Sequence, residues 1–344
     1  MKYKIMVIGQ IKNNKTGLGK SINDFIMRYQ SKYGKETLYK LDVTNNLSFI
    51  KSCYKILSIN CDKFYFTPSG SLGGNIRDSV YLFLMLLRRK KIITHFHNSS
   101  FKSVIESNFV INWINKLIYK KVDRIIILGK KQEEMFSSIH PSKDKFRIVG
   151  NGIDEDIFIS EQELAKKHDR HPINIVYFSN MIPEKGYEIV LSVAKEMKND
   201  RNFHFYFSGK FFQSALEAKF IEEIKELNNV SYINGVYGSD KITFLSNMNI
   251  FILPSKYKDE TLPISMLEAI ANGLYIIVSN VGVISEVANQ STTTLLDIID
   301  VDNIISIIRE KAKILNNLNY NVMYYKENYL NKKILDSLVS IVEK

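Results

Sequence analysis

Short apolar runs and segments of helical period alternate along almost the whole chain. Tyr3–Gly9 (YKIMVIG) is a β-branched run closed by glycine, followed by a polar loop and helix-spaced apolar positions over Ser21–Tyr29. Ile173–Ser179 (INIVYFS) repeats the arrangement. Turn residues lead on to Gly186, and then Ile189, Val190, Val193, Ala194 and Met197 recur at helix spacing. The same reading places strands at Lys63–Thr67, Lys91–Phe96, Arg124–Leu128 and Phe146–Val149, then at Phe203–Ser208, Val230–Ile233, Ile250–Leu253 and Leu274–Val278. Strands alternating with helices form parallel sheets covered by those helices, so the fold class is α/β with two Rossmann-like halves. The break is expected at the charged, proline-closed stretch Ser160–Pro172, and Val301–Lys344 reads as helical. There is no short internal repeat and no low-complexity segment.

Composition narrows the class without naming a function. A length of 344 residues suits two domains, and 45% apolar with 24% charged residues excludes wholesale disorder. Cys53 and Cys61 cannot build a disulfide framework, so a reducing compartment is expected. The best apolar run, Val80–Leu87, falls short of the roughly 18 residues a membrane span needs. The apolar run at the N-terminus is too brief for a signal peptide, so a soluble cytoplasmic chain is expected.

Charge distribution says more than the net +11. Residues 1–150 hold 27 Lys+Arg against 10 Asp+Glu, hence +17, and the remainder carries −6. A basic half invites nucleic acid, anionic lipid or a phosphorylated substrate; a solvated lysine-rich surface is the plain alternative. No nucleic-acid recognition motif is present, so nucleic acid is set aside. Val80–Lys91 (VYLFLMLLRRKK) and Ile111–Lys121 (INWINKLIYKK) join apolar runs to clustered cations, which makes an anionic membrane surface the better candidate.

The most informative segment is Ile250–Glu268, IFILPSKYKDETLPISMLE. A strand ends at Pro254-Ser255, Glu260 lies in the loop that follows, and Pro263 marks where a helix can begin. Glu268 then falls inside that helix. Free N–H groups of the first turn, near Ile264–Met266, make an anion site between the two acids. Such an arrangement suits a nucleotide sugar, with diphosphate at the helix start and hydroxyls on the carboxylates. A surface acid and a helix-face acid remain the bland alternative.

The run from Phe251 through Glu260-Thr261-Leu262-Pro263-Ile264 to Glu268-Ala269, Ala271, Gly273 and the strand from Leu274 resembles the donor-site signature of retaining glycosyltransferases of family four. In that family the motif is a glutamate, seven residues and a second glutamate. Its usual loop glycines are Thr261 and Pro263 here. Val149–Asp154 with Phe158 resembles the family's asparagine–glycine turn before the interdomain linker, and Phe178–Gly186 (FSNMIPEKG) its phosphate-clamping loop. Lys185 and Gly186 match that loop, whereas Asn180 stands where the family usually has arginine. Gly17-Leu18-Gly19 resembles the N-terminal glycine loop, where backbone approaches the substrates closely. Thr94–Ser100 (THFHNSS) resembles the strand-end histidine, with His97 the better placed of the two. Gly209 and Gly235–Tyr237, centred on Val236, match positions that contact the nucleotide.

The resemblance implies a GT-B fold, two Rossmann-like domains facing across a cleft. The first, residues 1–160, would hold the acceptor and be completed by a C-terminal helix at 323–344; the second, 161–322, would hold the donor. It implies retaining transfer of a hexose or N-acetylhexosamine from a nucleotide-diphosphate sugar, most simply a UDP-sugar, to a glycan, lipid-linked or protein-linked acceptor. It further implies no metal ion and no other cofactor. Lys185 would face the diphosphate, Glu260 the sugar, Glu268 the ribose and His97 the sugar from the first domain. Localisation would be cytoplasmic, at the inner face of the plasma membrane if the basic half binds lipid. Two alternatives keep the fold but change the role: a catalytically silent subunit that binds a partner or glycan, and a nucleotide-sugar epimerase.

Two near-motifs carry nothing. Asn14–Ser21 (NKTGLGKS) lacks the first glycine of a P-loop and starts too far beyond its strand. Asp154-Glu155-Asp156 follows an Asn–Gly turn and reads as a surface acidic turn, and no His or Cys spacing suits a metal.

Overall fold

The computed structural model describes residues 3–12, 16–169 and 171–344. The backbone divides into two compact units, Met1–Gly152 with Asn331–Lys344, and Ile153–Leu330.

In the first unit β1 (Ile5–Gly9), β2 (Leu38–Asp42), β3 (Lys63–Phe66), β4 (Lys91–His95), β5 (Arg124–Ile127) and β6 (Phe146–Ile148) form one sheet, in the order β2-β1-β3-β4-β5-β6. Every pairing is parallel. Strands buried on both faces must be continuously apolar, as β1 (IMVIG) is. Its alternate residues serve two cores. Ile5 and Val7 pack with Phe25, Ile26 and Val339, whereas Met6 and Ile8 pack with Ile56, Tyr81 and Ile118.

α1 (Gly17–Tyr33) and the terminal helix Asn331–Glu343 lie together on the Ile5 face. On the Met6 face α2 (Phe49–Ser58), α3 (Leu72–Leu87), α4 (Phe101–Glu106) and α5 (Phe109–Tyr119) follow in chain order. The first residues of β3, β4 and β5 are cations that hold the last carbonyls of the terminal helix. Lys63 Nζ donates to Val342 O (2.9 Å) and Glu343 O, Lys91 Nζ to Lys344 O (2.8 Å), and Arg124 to Ile341 O. Cations at a helix C-terminus satisfy its orphan carbonyls and oppose its dipole. Part of the +17 is therefore structural.

The second unit repeats the plan with β7 (Ile173–Phe178), β8 (Phe203–Ser208), β9 (Val230–Ile233), β10 (Ile250–Leu253), β11 (Tyr275–Ser279) and β12 (Thr293–Leu296). Their order is β12-β11-β10-β7-β8-β9, all parallel. Strand order reverses at β7 and β10, and ligands bind beyond the carboxyl ends of strands at such a switch point. Its helices are α6 (Glu161–Lys167), α7 (Tyr187–Glu196), α8 (Ser214–Ile224), α9 (Asp240–Ser246), α10 (Ile264–Ala271), α11 (Ile284–Val287), α12 (Val301–Ala312) and α13 (Val322–Tyr329).

The α/β reading stands, and three details of it change. The stretch read as a linker, Ser160–Pro172, includes α6, capped by Ser160 Oγ accepting from Glu163 N–H at 3.2 Å. Lys167 is buried and donates to Leu245 O and Asn272 O, which fastens α6 to the second unit. The units accordingly part after Gly152, not 160. α13 stays with the second unit, because Tyr325 is buried and its hydroxyl donates to Val287 O. Only Asn331 onward joins the first unit, not 323 onward. Finally, β2 and β12, both edge strands, were not expected. LYKLD and TTLL are only partly buried and carry a weak apolar signal.

Candidate functional site

Loops from five strands of the second unit end at one edge of its sheet. The loop after β7 carries Asn180, Lys185 and Gly186, and that after β10 carries Pro254, Ser255, Tyr257 and Glu260–Pro263. These two are laced together. Lys256 N–H donates to Glu184 O (2.7 Å), and a Cβ on Gly186 would lie 2.5 Å from Pro254 O. With φ of +83°, Gly186 occupies the left-handed region that glycine adopts freely.

At this seam Lys185 Nζ stands 3.0 Å from Glu260 Oε2, and both side chains are largely buried. Ser255 Oγ donates to the same carboxylate oxygen at 3.2 Å and accepts from Tyr257 N–H at 3.2 Å. The Lys185 ammonium also lies 5.4 Å from the centre of the Tyr257 ring. Burial, with Asp259, Glu260 and Glu184 nearby, pushes the Tyr257 phenol above its ordinary range, so it stays protonated as a donor. Gly282, at φ +56°, presses on the backbone of Glu260 and Thr261: its Cβ would meet Thr261 O at 2.3 Å. Val283 N–H donates to Thr261 O, fixing the loop from the β11 side.

α10 starts at Ile264 with Pro263 as its N-cap residue, one position before the first turn where proline was expected. Ile264, Ser265 and Met266 therefore present first-turn N–H groups directly after Glu260–Pro263. Thr261, Leu262 and Pro263 are buried and Ile264 is half-buried. Glu268, one turn further, is buried and accepts from Lys241 Nζ at 2.7 Å, and Lys241 in turn lies 5.8 Å from the Phe178 ring centre. Two Lys–Glu pairs thus flank the start of α10.

The loops after β8 and β9 complete this edge. A Cβ at Gly209 would overlap Ser179 O at 1.8 Å, so only glycine lets these backbones approach. Met181 N–H donates to Lys210 O, and Tyr232 hydroxyl to Gly209 O. Lys210 sits 5.3 Å from the Tyr237 ring centre, beside half-buried Val236. Asn180 accepts the Tyr177 hydroxyl on its carbonyl at 3.0 Å. Sequence reasoning missed Lys210, Lys241, Ser255, Tyr257 and Gly282. Lys241 lies on a helix start with no motif around it, and Gly282 reveals itself only through its close backbone neighbours.

His97, Gly17 and Gly19 belong to the first unit. His97 follows β4 at the carboxyl edge, with its ring 4.0 Å from that of His95. Burial lowers the His97 imidazole to about 4 and holds His95 well below its ordinary range, and Tyr65 hydroxyl lies 2.6 Å from His95 Nδ1. Both rings are neutral near pH 7. Gly17 and Gly19 open α1. Thr16 Oγ1 caps them by accepting from Gly19 N–H, and Lys20 N–H donates to Thr16 O. Asn14 of the near P-loop lies outside the described residues.

Glu155–Ile157 forms a short 3-10 turn with Glu155 and Asp156 exposed. Among the described residues no three His, Cys, Asp or Glu side chains gather as a metal cage, and no helix is long and apolar enough to cross a membrane.

Residues 159–333, just over half of the chain, match the family model described as glycosyl transferases group 1. The chain belongs to that family. The matched span contains every second-unit residue of the site. This group 1 glycosyltransferase is similar to a glycosyltransferase from Rickettsia africae at 15% identity, covering 99% of this chain and 98% of that one, with a TM-score of 0.75. Similar too is Anabaena HepE, solved in complex with UDP and glucose, at 12% identity, 99% of both chains and a TM-score of 0.71. Sucrose-phosphate synthase from Thermosynechococcus elongatus follows at 11% identity, 98% of both chains and a TM-score of 0.72. At these identities the likeness shows the fold, GT-B with two Rossmann-like domains. No protein of curated function matches the sequence.

Proposed function

We propose that this glycosyltransferase moves a hexose or N-acetylhexosamine from a UDP-sugar to a glycan, lipid-linked or protein-linked acceptor, with retention at the anomeric carbon and without a metal ion. The observation that carries the reading is the Lys185–Glu260 pair at the switch point of β7 and β10. In the reaction the bond from anomeric carbon to diphosphate oxygen breaks, and the acceptor oxygen bonds on the same face as its proton passes to the departing diphosphate oxygen. Negative charge grows on the leaving diphosphate, and Lys185 with the first-turn N–H groups of α10 stabilises it from fixed positions. Lys210 supplies further positive charge where Asn180 replaces the usual arginine. Glu260, freed from Lys185 as the diphosphate takes the ammonium, accepts hydrogen bonds from sugar hydroxyls. Glu268 holds the ribose, and neutral His97 offers a hydrogen bond to the sugar. The first unit binds the acceptor, at the inner face of an anionic membrane.

Screening nucleotide sugars for released nucleotide, then reading the product's anomeric configuration by NMR, tests the reading. UDP release with a retained anomer is expected. Release that continues with an inverted anomer contradicts the mechanism, and interconversion of the sugar without transfer supports the epimerase instead.

A further inference from the structure

The first unit carries an outward face that its own fold does not use. α2 packs beside α3, and α3 beside α5, while their inner sides, Ile56, Tyr81, Met85 and Ile118 among them, share one core against the sheet. Their outer sides therefore form a single surface. That surface is apolar. On α3 the stripe Leu72, Ile76, Val80, Phe83 and Leu87 recurs at intervals of three or four and is exposed, Phe83 by 56%. α5 presents Phe109 (83%), Trp113 (60%) and Leu117, and α2 presents Ile50 (83%), Tyr54 and Leu57. Single exposed apolar residues are ordinary, but aligned stripes on three adjacent helices mark an interaction surface.

Charge selects the occupant. α2, α3 and α5 carry one acidic residue, Asp78, and it is buried 2.8 Å from Arg77. Exposed Lys51, Arg89, Lys116, Lys120 and Lys121 lie on these helices or directly after them. Asp62, Glu106 and Asp123, the nearest exposed acids along the chain, lie on none of these three helices. A protein partner or a second copy of this face would bring its own apolar stripe, but a second copy would also set cation against cation. An anionic bilayer satisfies both features, taking the aromatic and aliphatic side chains at the headgroup boundary and the cations at its phosphates.

We propose that α2, α3 and α5 form a monotopic docking face for anionic phospholipid membranes, with Phe83, Trp113 and Tyr54 at the interface and Arg89, Lys116 and Lys120 on the headgroups. This face belongs to the first unit alone, and its binding does not depend on the transfer reaction.

Trp113 is the single tryptophan of the chain, so it reports on this face directly. Its fluorescence is followed while phosphatidylglycerol–phosphatidylcholine vesicles, or phosphatidylcholine vesicles alone, are added to the full chain without nucleotide sugar. A blue shift with the anionic vesicles only, reversed by salt, is expected. The exposed-site variant Arg89→Gln/Lys116→Gln/Lys120→Gln keeps the fold and should weaken binding roughly a hundredfold, about fivefold per cation. Phe83→Ser should weaken it independently. Equal shifts with both vesicles, no shift with either, or a blue shift with protein concentration alone would overturn the proposal, the last in favour of a second copy. Transfer activity measured on a soluble acceptor stays unchanged in these variants, so failure here and failure of the transferase reading are separable.

Discussion

Gly186 lies against Pro254 so closely that a Cβ on the glycine would sit 2.5 Å from the proline carbonyl oxygen. The contact joins the two loops that bring Lys185 to Glu260, and the left-handed φ of +83° sets the turn immediately after the lysine. Gly186→Ala meets both obstacles at once. It should lower stability by about 1–3 kcal/mol and displace Lys185, which thermal unfolding and UDP titration would each detect.

The Lys185–Glu260 pair makes a sharper prediction than simple deletion. Both groups are largely buried, so Glu260→Ala strands an ammonium and should cost about 3–5 kcal/mol beside its effect on activity. The double variant Lys185→Met/Glu260→Gln removes both charges and should recover most of that stability in urea unfolding. Nucleotide release should still fall by at least about a hundredfold in the double variant, because the ammonium that stabilises the leaving diphosphate is gone. Recovery of stability together with activity would break the link between this pair and the chemistry.

Lys241 reaches Glu268 Oε1 at 2.7 Å, and Glu268 is nearly inaccessible to solvent. Under the proposal Lys241 acts as a positioning residue for the ribose contact. Lys241→Ala should raise KM for the nucleotide sugar by about tenfold with kcat nearly kept, whereas a loss confined to kcat would place Lys241 at the leaving group.

Acid lability follows from the histidines. The His168 ring lies 3.1 Å from Gly273 O and 3.2 Å from Asn249 Nδ2, so as a neutral ring it donates from Nε2 and accepts at Nδ1. Burial, assisted by Lys167, lowers its pKa from 6.5 to about 4 despite the Gly273 hydrogen bond. Between those values the unfolded chain binds a proton that the folded chain refuses. Stability is therefore full above pH 6.5 and falls as pH drops toward 4, by up to about 3 kcal/mol from this group. His97, neutral in the fold down to about pH 4, adds to the loss over the same window. The fall in Tm between pH 7 and 5 should be shallower in His168→Gln.

The central strands were legible because burial on both faces forces continuous apolar runs, as in IMVIG and IFIL. Edge strands β2 and β12 were not, since half of each faces outward and polar residues cost nothing there. The seam between the loops after β7 and β10 was legible through Glu260, Glu268 and Lys185, whose spacing resembles a known signature. Their partners were not: Ser255, Tyr257, Lys241 and Gly282 meet the acids only after the chain folds. Composition misled at Ser160–Pro172, where Lys167 and His168 look like linker residues but are buried on backbone carbonyls. The glycine pair Gly17 and Gly19 does not disclose that Thr16 will cap a helix there.

Calorimetric titration of UDP into the wild-type chain and into Lys185→Met tests the donor-site assignment most directly. A single UDP site is expected in the wild type and an affinity lower by at least about tenfold in the variant, titrated well below its unfolding temperature, which should itself drop because Lys185→Met strands the buried Glu260 carboxylate. Equal UDP affinity in the two proteins, or no UDP binding to the wild type, would contradict it.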